Sequence, residues 1–307
     1  MQNNLLQMQQ NHTNIFLEKV LDSVKIGIVS LNADYLIQMV NIGFLNIFGY
    51  NEEQVLNRSI DILFNSHDYN ILRRHMQNAN YPKSVISIPK YELNGFRKDK
   101  TIIQIEITIS KKDVDKNHIY ILIIRDISEF KQTVDDLKYL AYFDQLTKVP
   151  NRTLFLDRAE TAIRQARRSK ERLAIVYIDL DDFKIINDTM GHEAGDMILK
   201  ELSKRFLDCA RESDTVSRLG GDEFTILMPK ISHIDDTSKL ANRILESNNI
   251  PIKINDNNIF PKTSLGVSIF PEDGNNINIL LKNADTAMYT AKQKGKNQFL
   301  LYNTKMK

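Results

Sequence analysis

Two acidic segments stand where apolar runs end. Ala174-Ile175-Val176-Tyr177-Ile178 leads directly into Asp179-Leu180-Asp181-Asp182, and Gly220-Gly221-Asp222-Glu223 lies between the β-rich runs Thr215–Leu219 and Phe224–Met228. An apolar strand that ends in a carboxylate presents it at the sheet edge, where a ligand can reach it. Two glycines at a hairpin tip permit positive φ and leave room for a ligand beside the backbone. If the two strands are neighbours, Asp179, Asp222 and Glu223 converge. Such hard oxygen donors suit Mg2+, which takes one or two carboxylates and completes its shell with water and phosphate. Mg2+ between carboxylates serves phosphoryl or nucleotidyl transfer. Taken singly, the same residues also fit a solvated β-turn, because Gly-Gly-Asp is common in hairpins.

The elements that must position these groups alternate through the second half. Helical patterns over Thr153–Lys170, Ala194–Ala210, Asp236–Asn248 and Ile277–Lys294 are interleaved with strands over Leu173–Leu180, Thr215–Leu219, Phe224–Met228 and Thr263–Phe270. In the Ala194–Ala210 segment, Met197, Ile198, Leu202 and Phe206 share one face. A βαββαβ core with additions fits this order. The first half reads as α+β. Short strands over Ile26–Ser30 and Leu36–Val40 flank a turn, Phe44, Ile47 and Phe48 form a helical stripe, and Asn51 with Gln54 forms a capping box. Strand patterns follow over Lys83–Tyr91, Thr101–Ser110 and His118–Ile124, with Asn94-Gly95 as a hairpin-turn signal between the first two. Ile103, Ile105, Ile107 and Ile109 alternate with polar residues, the pattern of a half-buried strand. Between the halves, Phe130, Val134, Leu137 and Ala141 are spaced 4, 3, 4. That spacing fits a coiled-coil seam and equally an amphipathic helix packed on its own domain.

Composition bounds the function. The 307 residues suggest two domains. A net charge of +2 gives no global drive toward nucleic acid or anionic lipid. Cys209 is the single cysteine, so no intrachain disulfide and no cysteine-based zinc cage forms. No apolar stretch reaches the ~18 residues that a spanning helix needs. The Gln/Asn-rich Met1–Asn14 lacks the character of a secretory signal and is expected to be a flexible leader, which makes a cytoplasmic protein the expectation.

Arg218-Leu219-Gly220-Gly221-Asp222-Glu223-Phe224 resembles the signature of the GGDEF domain, the diguanylate cyclase family. The resemblance covers roughly residues 140–303. It recurs in Asp144-Gln145-Leu146-Thr147 with Pro150-Asn151-Arg152, in Asp179–Lys184 with Asn187-Asp188, in Gly191-His192 with Gly195-Asp196, in Ser264–Ser268, and in Asp285–Tyr289 with Ala291-Lys292. It implies Mg2+- or Mn2+-dependent condensation of two GTP to cyclic di-GMP in a nucleotidyl-cyclase-like fold. In that reading Asp179, the Leu180 carbonyl, Asp222 and Glu223 hold metal, and Asp222 is also the base for the 3′-hydroxyl. Asn187 and Asp196 read guanine, with His192 on the same segment. Phe183 and Lys184 form a turn over the triphosphate beside Gly220 and Gly221, and Lys292 and Lys296 supply cations. A carboxylate accepts from guanine's donor edge and an amide donates to its acceptor, so the residue types suit guanine. Three departures stand out: Lys148-Val149 where Gly-Leu is usual, Lys296 where Arg is usual, and Leu265 where Ile is commoner. Lys296 keeps the charge but loses the bidentate fork.

Arg211-Glu212-Ser213-Asp214 stands five residues before Gly220 and resembles the RxxD product-inhibition site, with Arg243 as a weaker second arginine. The first half resembles a PAS sensor domain, by its element order, by Asn41 with Phe48-Gly49-Tyr50 and by Arg125-Asp126-Ile127-Ser128. The resulting domain expectation is a leader over 1–14, PAS over 15–127, a helical linker over 128–143 and GGDEF over 144–307. PAS domains bind haem, flavin or metabolites, or bind nothing and dimerise. No cysteine precedes Cys209, which removes covalent flavin photochemistry, and His67 before Asp68 is the one haem-ligand candidate. A cofactor-free dimerising PAS is the expectation, and two GTP sites facing each other imply a homodimer. The rival readings are a silent GGDEF domain acting as a GTP or cyclic di-GMP receptor, which typically lacks the intact signature carboxylates, and a bifunctional enzyme needing a further phosphodiesterase domain.

Overall fold

The computed structural model describes residues 25–78, 85–88, 93–114, 117–254 and 257–306. The expected leader over 1–14 lies outside them. The chain divides into two compact units, Met1–Asp135 and Asp136–Lys307.

In the first unit, β1 (Gly27–Leu31), β2 (Ile37–Val40), β3 (Val85–Ile88), β5 (Ile102–Val114) and β6 (Asn117–Asp126) form an antiparallel sheet in the order β2-β1-β6-β5-β3, and β4 (Asn94–Phe96) pairs with β5. Helices α1 (Ile42–Phe48), α2 (Glu52–Val55) and α3 (Ser66–Asn78) complete the unit. Asn41 starts α1 by accepting the Phe44 N–H at 2.9 Å, and its amide ties the helix to β1 through Ile28 N–H (2.7 Å) and the Ile26 carbonyl (2.9 Å). Phe44 and Phe48 are fully buried with ring centroids 4.9 Å apart. Ile103, Ile105, Ile107 and Ile109 all face the core, as their alternation predicts. The Asn51–Gln54 capping box forms, the Asn51 N–H donating to Gln54 Oε1 at 3.1 Å.

One turn is corrected. Asn94-Gly95 is strand, with Gly95 opposite Ile103. The tight turn is Arg97–Lys100, closed by the Arg97 and Thr101 backbones at 2.9 Å, with Lys100 at φ 70°. Gly95 serves packing here. A Cβ on it would lie 3.1 Å from Phe48 Cε1 and 3.2 Å from Ile105 Cδ1.

Helix α4 (Ser128–Tyr142) buries none of its residues; Leu137 is 59% and Leu140 53% exposed. The 4-3-4 stripe is thus left without a buried residue.

In the second unit, β7 (Arg172–Leu180), β8 (Thr215–Gly220), β9 (Glu223–Ile231), β12 (Thr263–Phe270) and β13 (Phe299–Leu301) form a sheet in the order β13-β12-β7-β9-β8. Only the β12–β13 pair is parallel. A short hairpin, β10 (Ile252–Ile254) and β11 (Asn257–Ile259), stands apart. One face packs on α5 (Arg152–Ser169) and α9 (Ile277–Gln293) through Phe155, Ala159, Ile175, Leu280 and Ala284. The other packs on α7 (His192–Cys209) and α8 (Asp235–Ser247) through Ile178, Ile198, Phe206, Phe224 and Ile244. Each such fully buried Leu, Ile or Phe contributes roughly 1.5–3 kcal/mol. The order β7-α-β8-β9-α8-β12 is the expected βαββαβ core. A helix absent from the sequence reading, α6 (Phe183–Met190), follows β7. The fold class is α+β throughout.

Candidate active site

The alternation of β7 sends Val176, Ile178 and Leu180 into one core and Ile175 and Tyr177 toward α5 and α9, and Asp179 continues on the second side. In β9, Glu223 is paired directly with Asp179, and Thr225 with Tyr177. Directly opposed residues project from the same face, so two carboxylates stand side by side at one end of the sheet. Asp222 follows Gly221 in the two-residue loop between β8 and β9, where Gly220 has φ 153° and Gly221 φ 54°. Those backbone angles are why glycine occupies both positions.

An arginine holds that loop. Arg218 Nε and Nη2 donate to the Gly221 carbonyl at 2.9 and 2.6 Å, and Nη1 donates to Asp144 Oδ1 at 2.9 Å. Asp144 also accepts the Thr147 N–H (2.8 Å) and hydroxyl (2.6 Å). Burial opposes ionisation of Asp144, but the Thr147 and Arg218 contacts outweigh it and hold its carboxyl below the usual range. Sequence reasoning quoted both residues inside motifs and gave neither a task. Their offset of 74 positions leaves no local periodic signal.

The cations sit on the end of β7. Lys292, in the last turn of α9, places its ammonium on Asp179 Oδ1, and Lys296 donates to Asp182 Oδ1 at 2.7 Å. Asp181, 5% exposed, accepts the Ser264 hydroxyl at 2.8 Å and the Asn297 N–H at 2.9 Å. It ties β7, β12 and the chain after α9 together. Burial pushes the Asp179 carboxyl up to about 6; the Asp222 and Glu223 charges push the same way and Lys292 opposes them. Burial, reinforced by the Glu223 carboxylate, likewise raises the Tyr177 phenol.

Asp179 and Glu223 are like charges in direct opposition, a costly arrangement without a counter-ion. This donor set of hard oxygens fits Mg2+ or Mn2+. Among the described residues no three His, Cys, Asp or Glu side chains are gathered tightly enough to ligate a metal. Of the three carboxylates expected to converge, Asp179 and Glu223 stand opposite each other, with Lys292 as the cation in contact, while Asp222 bears on Asp179 through its charge without completing a cluster of three.

Phe183 and Lys184 open α6, with Asp182 at its N-cap, so they form a helix start rather than the expected turn. The first N–H groups of a helix have no intrahelical acceptor and suit anions. Asn187 on α6 has a buried Oδ1 without a protein donor. A Cβ on Gly195 of α7 would sit 2.0 Å from that oxygen, so only glycine leaves the Asn187 amide in place. Asp196 and His192 are exposed in the first turns of α7.

At the other expected site, Asp214 accepts the Arg211 N–H at 2.9 Å, and Arg211 Nη2 reaches Asp236 Oδ1 at 3.6 Å. Burial raises the Asp214 carboxyl, and the charges of Arg211 and Arg243 both work against that rise. In the first unit His67 is exposed in the first turn of α3, so it turns no axial ligand into the core; Asp68 is the buried neighbour, accepting Asn65 Nδ2–H at 2.7 Å.

The family described as "Diguanylate cyclase, GGDEF domain" matches residues 141–298, half of the chain. The chain belongs to the GGDEF family. A PAS domain family matches residues 25–129. The chain is 40% identical over 171 residues to the bifunctional diguanylate cyclase/cyclic di-GMP phosphodiesterase MucR of Pseudomonas aeruginosa, covering 56% of this chain and 25% of that protein. It is 39% identical over 161 residues to the diguanylate cyclase TpbB of the same organism, covering 52% and 37%. The chain thus spans between a quarter and somewhat over a third of these relatives' lengths. Among solved structures, the GGDEF domain of TpbB superposes with a TM-score of 0.53 at 37% identity, covering 54% of this chain and 96% of that one. The coiled coil and GGDEF domain of DgcB from Caulobacter crescentus, in complex with c-di-GMP, shares the fold at 23% identity, covering 57% and 93%, with a TM-score of 0.52. Among the described residues no helix is long and apolar enough to cross a membrane.

Proposed function

We propose that this GGDEF domain is a working diguanylate cyclase, condensing two GTP into cyclic di-GMP with release of two diphosphates. The observation that carries the reading is the in-register Asp179–Glu223 pair beside Asp222, on a glycine turn held by Arg218. Asp179, Asp222, Glu223 and the Leu180 carbonyl would hold the divalent ion. When bound, Mg2+ or Mn2+ neutralises triphosphate charge and acidifies the attacking hydroxyl. The Asp222 carboxylate takes the proton from the 3′-hydroxyl. The Asn187 amide donates to guanine's acceptor, and Asp196 accepts from its N–H edge, with His192 alongside. The first N–H groups of α6, at Phe183 and Lys184, and the Lys292 and Lys296 ammoniums take phosphate oxygens. Gly220 and Gly221 keep side chains out of the approach.

We assign the sensor to residues 15–127, the linker to 128–143 and the cyclase to 144–307. Each cyclase offers one GTP site and the reaction joins two, so two chains must face each other. Val134, Leu137 and the other apolar residues of α4, none of them buried, suit a parallel pairing that brings the cyclases together at high effective concentration. The PAS domain then regulates by biasing that pairing. Arg211 and Asp214 bind product and restrain the enzyme, so Arg211→Ala raises the concentration for half-inhibition at an unchanged initial rate. The deciding experiment incubates the purified full chain with GTP and Mg2+ and separates the nucleotides by chromatography. Cyclic di-GMP is expected. Its absence at every protein concentration would establish the receptor reading instead.

A further inference from the structure

The segment from Lys292 to Asn297 clasps the end of β7 at three points, one for each aspartate. Lys292 Nζ lies on Asp179, Lys296 Nζ on Asp182 at 2.7 Å, and the Asn297 N–H on Asp181 at 2.9 Å. The three contacts differ in kind. Asp181 is 5% exposed and its other oxygen is taken by the Ser264 hydroxyl, so this contact is a fixed anchor. The two lysine contacts are ammoniums on flexible four-carbon stems, part-exposed at 28% for Lys292 and 43% for Lys296, and can swing without unfolding anything. Lys292 occupies Asp179 Oδ1, on the strand position paired with Glu223. An ammonium and a divalent cation compete for the same lone pairs, and two cations on one carboxylate repel each other.

We infer that Lys292 is the resident counter-ion of the metal site, and that it must leave Asp179 before that carboxylate can take a divalent ion. This rests on the proposed role of Asp179 as a metal carboxylate. The arriving triphosphate gives the displaced ammonium an anion of its own, within the reach of its stem. Nucleotide and metal therefore bind with positive coupling: each is weak alone, because metal alone leaves Lys292 without a partner and nucleotide alone leaves Asp179 holding it. Coupling of this kind is reciprocal between the two ligands. The fixed Asp181–Asn297 anchor keeps the lysine stems beside the site in both states.

The test measures Mn2+ binding to the full chain by titration calorimetry, without turnover. In the absence of nucleotide, Lys292→Met binds Mn2+ about tenfold more tightly than wild type, and 3′-deoxy-GTP tightens Mn2+ binding about tenfold in wild type but little in the variant. Lys294→Met, which removes an equal charge from the same segment, leaves Mn2+ affinity near wild type. Equal Mn2+ affinity of Lys292→Met and wild type without nucleotide overturns the exchange, as does an equal gain from Lys294→Met, which would reduce the effect to net charge. A Lys292→Met/Asp179→Asn double variant that retains tight Mn2+ binding overturns instead the assignment of Asp179 to the metal. Melting temperatures recorded on each variant confirm that the fold persists.

Discussion

The raised Asp179 carboxyl makes a stability prediction that runs opposite to function. A carboxyl moved from 3.8 to about 6 penalises the ionised folded state by about 3 kcal/mol, at about 1.36 kcal/mol per pH unit. Asp179→Asn removes the charge and keeps the shape. Lys292 loses its partner but is 28% exposed and regains water, so about 2 kcal/mol of stabilisation remains after that offset. In a domain of this size that raises Tm by roughly 4–8 °C. The sign follows from proton binding. Between 3.8 and about 6 the folded chain binds more protons at this site than the unfolded chain, so wild-type stability falls as pH rises through that window. The Tm gain of the variant is therefore full above pH 6, shrinks as pH falls, and is lost near pH 4. Calorimetric melts of both proteins in EDTA, without nucleotide, at pH 7.5, 5 and 4 read it directly. A variant no more stable than wild type at pH 7.5, or a gain that persists undiminished at pH 4, would refute the reasoning. Under the proposed function the same variant is expected to make no cyclic di-GMP, which would mean the charge is kept at a cost to the fold.

Gly195→Ala drives a Cβ to 2.0 Å from Asn187 Oδ1 and displaces the amide; GTP affinity should fall at least about tenfold, or 1.4 kcal/mol, and unchanged affinity by calorimetry would remove Asn187 from the guanine site. Arg218→Lys loses the fork that joins Asp144 to the Gly221 carbonyl; a loss of about 2 kcal/mol in urea unfolding is expected from broken charged hydrogen bonds, with a drop in turnover, and wild-type values for both would show the loop to hold itself. Val134→Asp with Leu137→Asp changes stability by less than about 0.5 kcal/mol, because α4 buries no residue, yet it should make specific activity depend steeply on protein concentration. Sedimentation showing a dimer at low concentration with full activity would leave the helix without a role in assembly.

What the sequence made legible was whatever depends on period or on backbone angle. The facing of Asp179 and Glu223 follows from period-2 alternation once β7 and β9 are neighbours, and both glycines of the loop take positive φ. The departure at Lys148 becomes intelligible in the same terms. Lys148 holds φ 63°, a conformation that costs a side-chain-bearing residue roughly 1–2 kcal/mol and costs glycine almost nothing. Its ammonium lies 5.7 Å from the Tyr139 ring, a cation–π contact worth about 0.5–1 kcal/mol at an exposed site, which offsets part of that strain. Val149 beside it keeps the buried apolar role of the usual leucine.

What stayed hidden depends on contacts with no local pattern. Helix α6 reads Phe-Lys-Ile-Ile-Asn-Asp-Thr-Met, and its β-branched and short polar residues are weak helix formers, so propensity gave no sign of it. Three aspartates within four residues look alike in a sequence. Their tasks separate only through partners more than 80 positions away: Lys292 for Asp179, Ser264 and Asn297 for Asp181, and Lys296 for Asp182. Asn94-Gly95 misled because a glycine that lets two side chains pack closely and a glycine that turns a chain are the same letter. The 4-3-4 spacing of the linker left two readings standing, and the absence of any buried residue in α4 favours the seam. A helix with no buried residue gains little apolar burial from its own domain, and Leu137 and Leu140 would remain in water at roughly 25 cal/mol per Å2 of exposed apolar surface. Pairing with a second copy, as proposed, would remove that cost at the position in the chain where a sensor would have to reach a two-site reaction.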